Sequence, residues 1–376
     1  MNKNILVIVI VGVIVFSVTA CAEKNSIIKL NNDSLVKEPI PLIQGDRWWS
    51  SVFFNTHKKI AQKSFSLISK NDYPDLFYYK DKLIDGASDE DGHPTKKDNG
   101  GYPYDIWFST KELNNGKEIG VLYKYFNKKF EDAYENIGII CHLTQDQAVP
   151  THAANIEHSF FDQFERYYGE NENIDISNFS FIFPSYFKPW DYYQYVQDDT
   201  RRHLNEWLDP ETKIPYWQSA KDAPPLGKDS TMGPHGQYGG GKDHFTTTQC
   251  ENNYSGNYEC KSVPKSPEIG QRQIAMAIFA TASLLESASR NLPPIIDDFQ
   301  IINTSIRFKI LENRCNVVSY SLSNSEHVER SANVVMDAKS VPFEKDLSID
   351  LKLKGRYKLS VIDCDNNVSI KEFNIK

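Results

Sequence analysis

The stretch Cys141–Glu165 reads CHLTQDQAVPTHAANIEHSFFDQFE and decides both the fold and the chemistry expected of this chain. It places three histidines and several carboxylates in one short segment, and both side-chain types bind divalent metals. The helical spacing of apolar residues predicts a helix over Asn127–Gln147. The apolar face of this helix is formed by Tyr134, Ile137, Ile140 and Cys141.

One turn of the predicted helix carries a metal-ligand pair. His142 and Asp146 lie four residues apart, so both side chains project from the same helix face. Helical pairs with this spacing hold zinc in proteins. Pro150 ends the helix because it lacks an N–H group, and His152 follows in the turn.

The same spacing recurs downstream of the turn. His158 and Asp162 are again four residues apart, which predicts a second helical ligand pair. Cys141 is the only cysteine of the stretch and falls on the apolar face. Nitrogen and oxygen ligands without thiolates favour a catalytic zinc site over a structural one.

At these residues the chain resembles the bacterial zinc-dependent phospholipases C and the related single-strand-specific nucleases. The shared pattern is a helical His-x-x-x-Asp, a Pro-x-His within six residues, and then His-x-x-x-Glu or His-x-x-x-Asp. The run His152–Asn155 is similar to the phospholipases, whereas His158-Ser159-x-x-Asp162 is closer to the nucleases. The resemblance implies a helical zinc domain.

The resemblance also suggests ligands nearer the N-terminus. His57 follows a threonine and precedes Ile60 by three residues, as the ligand histidine of the family does. Secreted relatives bind zinc through an N-terminal tryptophan, and Trp48 or Trp49 stands at a comparable distance before His57. A chain that starts at Cys21 would lack the free amine of that ligand.

An acidic turn between these segments matches the remaining ligands in part. Asp91 corresponds best to the metal-binding carboxylate of the family, and the turn does not follow EF-hand spacing. The next family histidine is missing from its usual position, so either His93 or Asp105 is expected to replace it.

The resemblance therefore implies two to three zinc ions. Asp146 would bridge two of them, and His152, His158 and Asp162 would hold the third. Asp91 would also orient or deprotonate the attacking water. The complete expected ligand set is His57, Asp91, His93, His142, Asp146, His152, His158 and Asp162.

The N-terminus reads as a lipoprotein signal, residues 1–21. Lys3 precedes the apolar run Ile5–Phe16, and Val18–Cys21 looks like a lipobox with Cys21 as the lipidated residue. The run is short for an uncleaved membrane anchor. A polar tether, residues 22–45, would join the lipid to the domain, which places the protein in the cell envelope.

The net charge of −8 argues against sequence-independent binding to nucleic acid, which needs a basic surface. The expected partners are a phospholipid or another phosphodiester, together with the membrane that receives the lipid anchor. Two alternatives stay open, a nuclease of the same superfamily and a non-catalytic zinc-binding scaffold or adhesion lipoprotein.

Residues 46–293 are expected to form the helical zinc domain, with helices over Phe53–Ser69 and Glu268–Asn291. The segment Ser219–Ser266 is rich in glycine and proline and reads as a long loop. His235 and His244 within it are expected to be exposed loop histidines.

Apolar and polar residues alternate along residues 294–376, which predicts a small antiparallel β-sandwich. An immunoglobulin-like sandwich is one possible arrangement. The predicted fold class is thus mainly α, an all-helical phospholipase C-like zinc domain followed by this sandwich. The simplest pairing of the exported cysteines is local, Cys250 with Cys260 and Cys315 with Cys364.

Overall fold

The computed structural model describes residues 56–88, 103–108, 120–156, 162–170, 175–219, 236–252, 258–324, 327–337, 339–351 and 354–375. All of them belong to one compact unit, Leu42–Lys376. No helix in this described part is long and apolar enough to cross a membrane. The predictions that fall outside it concern Cys21, Trp48, Trp49, Asp91, His93, His158 and His235.

Helices occupy the first half of the described chain and return once before the C-terminal strands. They are α1 (Thr56–Ser64), α2 (Pro74–Tyr78), α3 (Lys80–Ser88), α4 (Pro103–Phe108), α5 (Val121–Phe126), α6 (Phe130–Asp146), α7 (Pro150–Ala154), α8 (Gln163–Glu170), α9 (Asp191–His203) and α10 (Pro267–Asn291). A 3₁₀ turn, Phe65–Leu67, follows α1 directly.

The central element is α6, which is the helix that carries His142 and Asp146. From Ala133 to Asp146 nearly every residue is buried, including those on the polar side of the sequence pattern. A helix buried on all sides lies inside the protein and not on its surface. The helices α1, α3 and α10 all pack against α6. Its two potential metal ligands therefore point into the interior.

Two glycines allow α3 and α6 to cross at very short range. A Cβ atom on Gly138 would lie 2.3 Å from the carbonyl oxygen of Leu83, and one on Gly86 would lie 2.0 Å from that of Glu135. Both distances are far below van der Waals contact, so only glycine fits at either position. The close crossing brings the last turn of α3 beside His142.

The long helix α10 begins with Pro267 in its first turn, where the missing N–H costs no hydrogen bond. It ends at Asn291, ahead of Pro293 and Pro294, and it begins one residue before the predicted start at Glu268. The Ser64 hydroxyl at the end of α1 donates to the Ile278 carbonyl at 2.9 Å. This bond ties α1 to α10 as both pack on α6.

The strands are β1 (Trp217–Gln218), β2 (Gln237–Tyr238), β3 (Thr246–Asn252), β4 (Tyr258–Pro264), β5 (Ile295–Ile302), β6 (Ser305–Glu312), β7 (Val317–Asn324), β8 (His327–Val335), β9 (Phe343–Asp350), β10 (Gly355–Ile362) and β11 (Val368–Ile375). The last seven form two antiparallel sheets, ordered β11-β10-β7-β8 and β5-β6-β9. Apolar side chains of both sheets, such as Phe308 and Leu359, share one core.

The segment Ser219–Ser266 is not the plain loop that its composition indicated. The strands β3 and β4 form an antiparallel hairpin in which Cys250 lies opposite Cys260, and a disulfide joins the two. The β-branched run Thr246–Thr248 is the local signal for this hairpin. A second disulfide joins Cys315, after β6, to Cys364, after β10.

The predicted fold class, mainly α, is wrong. The described residues are 43% helical and 28% strand, with four sheets in the C-terminal half, which makes this an α+β protein. The sequence pattern underestimated the strands because β1 and β2 have only two residues each, and β3 and β4 lie in a stretch rich in glycine and proline. Strand pairing across such stretches depends on tertiary contacts more than on local propensity.

Candidate metal centre

Three buried side chains from two helices form the candidate metal centre. His142 and Asp146 extend from successive turns of α6, and His57 reaches them from α1. His57 Nε2 lies 3.4 Å from Asp146 Oδ1, and His142 Nε2 lies 3.5 Å from Asp146 Oδ2. Potential ligand atoms of the three residues lie within 4.8 Å of one another. His57 and Asp146, which lie 89 positions apart in sequence, thus meet at one point.

The tautomer of His142 follows from its backbone partner. His142 Nδ1 lies 3.0 Å from the carbonyl oxygen of Ala87, at the end of α3. A carbonyl oxygen only accepts hydrogen bonds, so Nδ1 must carry the proton. In the neutral ring the lone pair is then on Nε2, which faces the Asp146 carboxylate.

The ring of His57 is held in a comparable way. Its Nδ1 lies 2.8 Å from the side-chain oxygen of Gln145, and its centroid lies 4.0 Å from that of His142 with the planes 33° apart. The Nε2 atoms of both rings therefore approach the same carboxylate. Each oxygen of Asp146 faces one of the two histidines.

This arrangement fits a divalent metal. Around a tetrahedral zinc with bonds of about 2.0–2.1 Å, neighbouring ligand atoms lie about 3.3–3.4 Å apart. The two measured separations between nitrogen and oxygen are close to this value. In addition, Asp146 Oδ1 is buried and makes no hydrogen bond to any described residue. The Nε2 lone pairs of the two neutral histidines face the buried Asp146 carboxylate, and they repel it unless a cation lies between them. His57, His142 and Asp146 could therefore hold a metal.

The prediction that His152 lies in a turn is wrong, because Pro150 begins α7 and His152 is inside this short helix. His152 pairs with a residue that the sequence pattern did not select. Its Nε2 is 2.9 Å from Glu165 Oε1, and the hydroxyl of Thr151 is 3.4 Å from the same oxygen. Glu165 stands three residues after Asp162, one helical turn further on. That spacing is the only sequence signal that could have identified it.

Asp162 has a different position from the one predicted. The helix α8 begins at Gln163, so Asp162 is its N-cap residue and accepts a hydrogen bond from the Glu165 backbone N–H at 2.9 Å. Its second oxygen accepts from the Tyr238 hydroxyl at 2.5 Å. Asp162 is almost fully buried. Its expected helical partner, His158, lies outside the described residues.

Tyr238 brings the segment Gly236–Phe245 against the start of α8. Asp243 in this segment accepts a hydrogen bond from the Gln163 backbone N–H at 2.7 Å. Burial, together with the nearby charge of Asp162, raises the pKa of Asp243 to about 6. Burial and Asp162 also raise the pKa of the Tyr238 hydroxyl, which keeps this hydroxyl a hydrogen-bond donor.

The other candidates stand apart from the three-residue centre. Asp105 is exposed in the first turn of α4. His244 packs against Tyr216 and lies 3.9 Å from the buried Asp209. Among the described residues, neither belongs to a group of three close metal-binding side chains, and neither do His152 and Asp162.

No protein-family model matches the chain, and no curated protein matches it. Among solved structures, the chain is similar to Clostridium perfringens alpha-toxin with 10% identity and a TM-score of 0.33, over 88% of this chain and 100% of that one. It is also similar, at 8% identity and a TM-score of 0.17, to a superoxide reductase and to a hypothetical protein from Pyrococcus horikoshii. Those matches cover 22% of this chain and 87% and 86% of the others.

Proposed function

We propose that this chain is a zinc-dependent phosphoric ester hydrolase of the phospholipase C kind. The observation that supports it most directly is the convergence of His57, His142 and Asp146, with one carboxylate oxygen facing each histidine. The expected substrate class rests on the His, Asp and Pro spacing of the sequence between His142 and Asp162.

Zinc bound at this centre would activate water and neutralise charge on a phosphoryl group. The protein contributes the geometry. His142 and Asp146 would hold one ion, and His57 and Asp146 would hold a second. Asp91 is proposed to complete the His142 side and to accept the proton of the attacking water.

A further ion is proposed at His152. The expected carboxylate there is Asp162, whose oxygens are engaged by Tyr238 and by the Glu165 backbone. Glu165 already lies 2.9 Å from His152 Nε2 and so offers a second carboxylate for the same site. His158 is proposed as the remaining histidine ligand.

The proposed substrate is a membrane phospholipid or another phosphodiester. A diacylated Cys21 would hold the catalytic domain at the membrane of the cell envelope, within reach of lipid head groups. The net charge of −8 favours this choice over a nucleic acid, because a phosphate backbone is bound mainly by cationic surfaces.

The test combines metal analysis with hydrolysis. We expect purified protein to contain two or more zinc ions and to cleave a chromogenic phosphocholine ester, with loss of activity in chelator and recovery with zinc. His142→Ala should abolish hydrolysis and lower the zinc content while helical circular dichroism is retained. His203→Ala is the matched control, because His203 lies on α9 and packs on Trp207, outside the centre.

The outcomes separate the candidate functions. Cleavage of single-stranded nucleic acid in place of phospholipid would identify the nuclease alternative. Zinc-loaded protein that cleaves neither substrate would exclude the enzyme and leave the scaffold or adhesion lipoprotein. Protein that binds no zinc under any condition would overturn the metal centre itself.

A further inference from the structure

Gln145 connects three helices directly behind the metal centre. It precedes Asp146 on α6, and its side chain contacts residues of α1 and α10. Its oxygen lies 2.8 Å from His57 Nδ1, and its nitrogen lies 3.1 Å from the Thr281 hydroxyl oxygen. All three of these side chains are buried.

The two ends of the Gln145 amide are chemically different, and each end faces a different partner. The NH₂ group donates to Thr281 on α10, so the carbonyl end of the side chain faces His57. An amide oxygen only accepts hydrogen bonds, so His57 Nδ1 must donate. The lone pair of the neutral ring is then on Nε2, the atom 3.4 Å from Asp146 Oδ1.

We propose that Gln145 is a positioning residue that selects the tautomer and orientation in which His57 Nε2 can bind metal. The role in metal binding rests on the proposed function, whereas the tautomer does not. The tautomer of His142 is set by a backbone carbonyl, that of Ala87, which no side-chain substitution removes. His57 depends instead on a side chain, and that side chain depends on Thr281.

A positioning role differs from a merely structural one in what it changes. Loss of an ordinary buried hydrogen bond lowers stability and leaves the tautomer of a neighbouring ring unaffected. Loss of the partner that orients a metal-binding histidine lowers metal affinity by about 10- to 100-fold. The tautomer of His57 and its zinc affinity are therefore the informative measurements.

The first arm of the test uses metal-free protein. Two-bond ¹H–¹⁵N correlation spectra of the histidine rings distinguish a proton on Nδ1 from one on Nε2. We expect wild-type His57 to carry it on Nδ1, and we expect Gln145→Leu to shift the ring towards the Nε2 tautomer. Gln145→Glu keeps an acceptor of the same reach, so it should retain the wild-type tautomer, and it serves as the folded comparison if Gln145→Leu is unstable.

The second arm measures zinc affinity by competition with a chelating dye. Gln145→Leu should weaken binding at this centre by at least about tenfold, Thr281→Val should weaken it less, and Gln145→Glu should restore it. Gln147→Leu is the control, because Gln147 is also buried on this chain segment and its side chain bonds Gln197, with no histidine partner in the described part of the chain.

Two results would overturn the proposal. One is a wild-type His57 with its proton on Nε2, and the other is a folded Gln145→Leu protein with unchanged zinc affinity. If the wild-type protein binds no zinc, the proposed function fails by itself, and the metal-free spectra still decide whether Gln145 selects the tautomer.

Discussion

The carbonyl oxygen of Ala87 accepts a hydrogen bond from His142 Nδ1 at 3.0 Å, which joins the end of α3 to the candidate metal centre. This contact exists because α3 and α6 cross where Gly86 and Gly138 leave no side chain between their backbones. The close crossing of α3 and α6 therefore helps to orient His142, a candidate metal ligand.

Gly138→Ala should disrupt this relationship. The new Cβ would lie 2.3 Å from the Leu83 carbonyl, so α3 must move away from α6 and carry Ala87 away from His142. We expect the free energy of unfolding in urea to fall by about 1–3 kcal/mol and zinc affinity to fall with it. Gly241→Asn, at an open left-handed position, should change the free energy by less than about 0.5 kcal/mol. Unchanged zinc affinity in Gly138→Ala would show that the crossing does not position His142.

The junction between the helices and the C-terminal sheets contains buried acids, and these should make stability depend on pH. Burial, followed by the charge of Asp363, raises the pKa of Glu312 to about 8. The native carboxyl therefore holds its proton far above the pKa of 4.5 that the unfolded chain has. The stabilising contribution is complete below pH 4.5 and is lost as pH rises through about 8.

Urea unfolding between pH 5 and pH 8.5 measures this dependence. We expect the free energy of unfolding of the wild type to fall over this range by an amount on the order of a few kcal/mol. Glu312→Gln should flatten the slope, because the amide does not ionise. Glu344→Gln, which alters a half-exposed acid paired with Lys309, should leave the slope unchanged. Equal slopes in wild type and Glu312→Gln would contradict the prediction.

The two disulfides should contribute unequally to stability. Cys315–Cys364 closes a loop with a sequence separation of 49, and Cys250–Cys260 closes one of 10. The chain-entropy relation gives about 4 kcal/mol for the first and about 2.7 kcal/mol for the second. Paired serine substitutions should therefore lower the free energy of unfolding more at the Cys315–Cys364 bridge. The opposite order in urea unfolding at pH 7 would mean that loop length does not control the effect.

Lipid modification at Cys21 remains a prediction from the short apolar run and the lipobox before it. Cys21→Ala should block processing of the precursor and abolish incorporation of labelled palmitate. Cys141→Ala, which removes a buried cysteine outside the signal, should leave labelling intact. A mature chain that starts at Trp48 or Trp49, seen by mass spectrometry, would exclude the anchor and leave a free N-terminal amine on a tryptophan.

Local sequence predicted the long helices well because they depend on short-range pattern. The expected helix over Glu268–Asn291 differs from α10 by one residue, and α6 falls within the range predicted for it. The prediction that Asp162 belongs to a second helical ligand pair is wrong, because Asp162 caps α8 and lies outside the helix. Capping is decided by backbone geometry at a single residue, which a four-residue spacing does not reveal.

The sequence by itself determined that His142 and Asp146 share a helix face, because a helical period places residues four apart side by side. It also determined the alternating strands after Pro294. Only the tertiary structure decided that His57 meets this pair, that Gln145 and Ala87 set the two histidine tautomers, and that Glu165 pairs with His152. Those contacts depend on how helices pack, and the His57–Gln145 bond spans 88 positions of the chain. No local pattern encodes a contact between residues so far apart in sequence, because burial and close packing of whole helices bring them together.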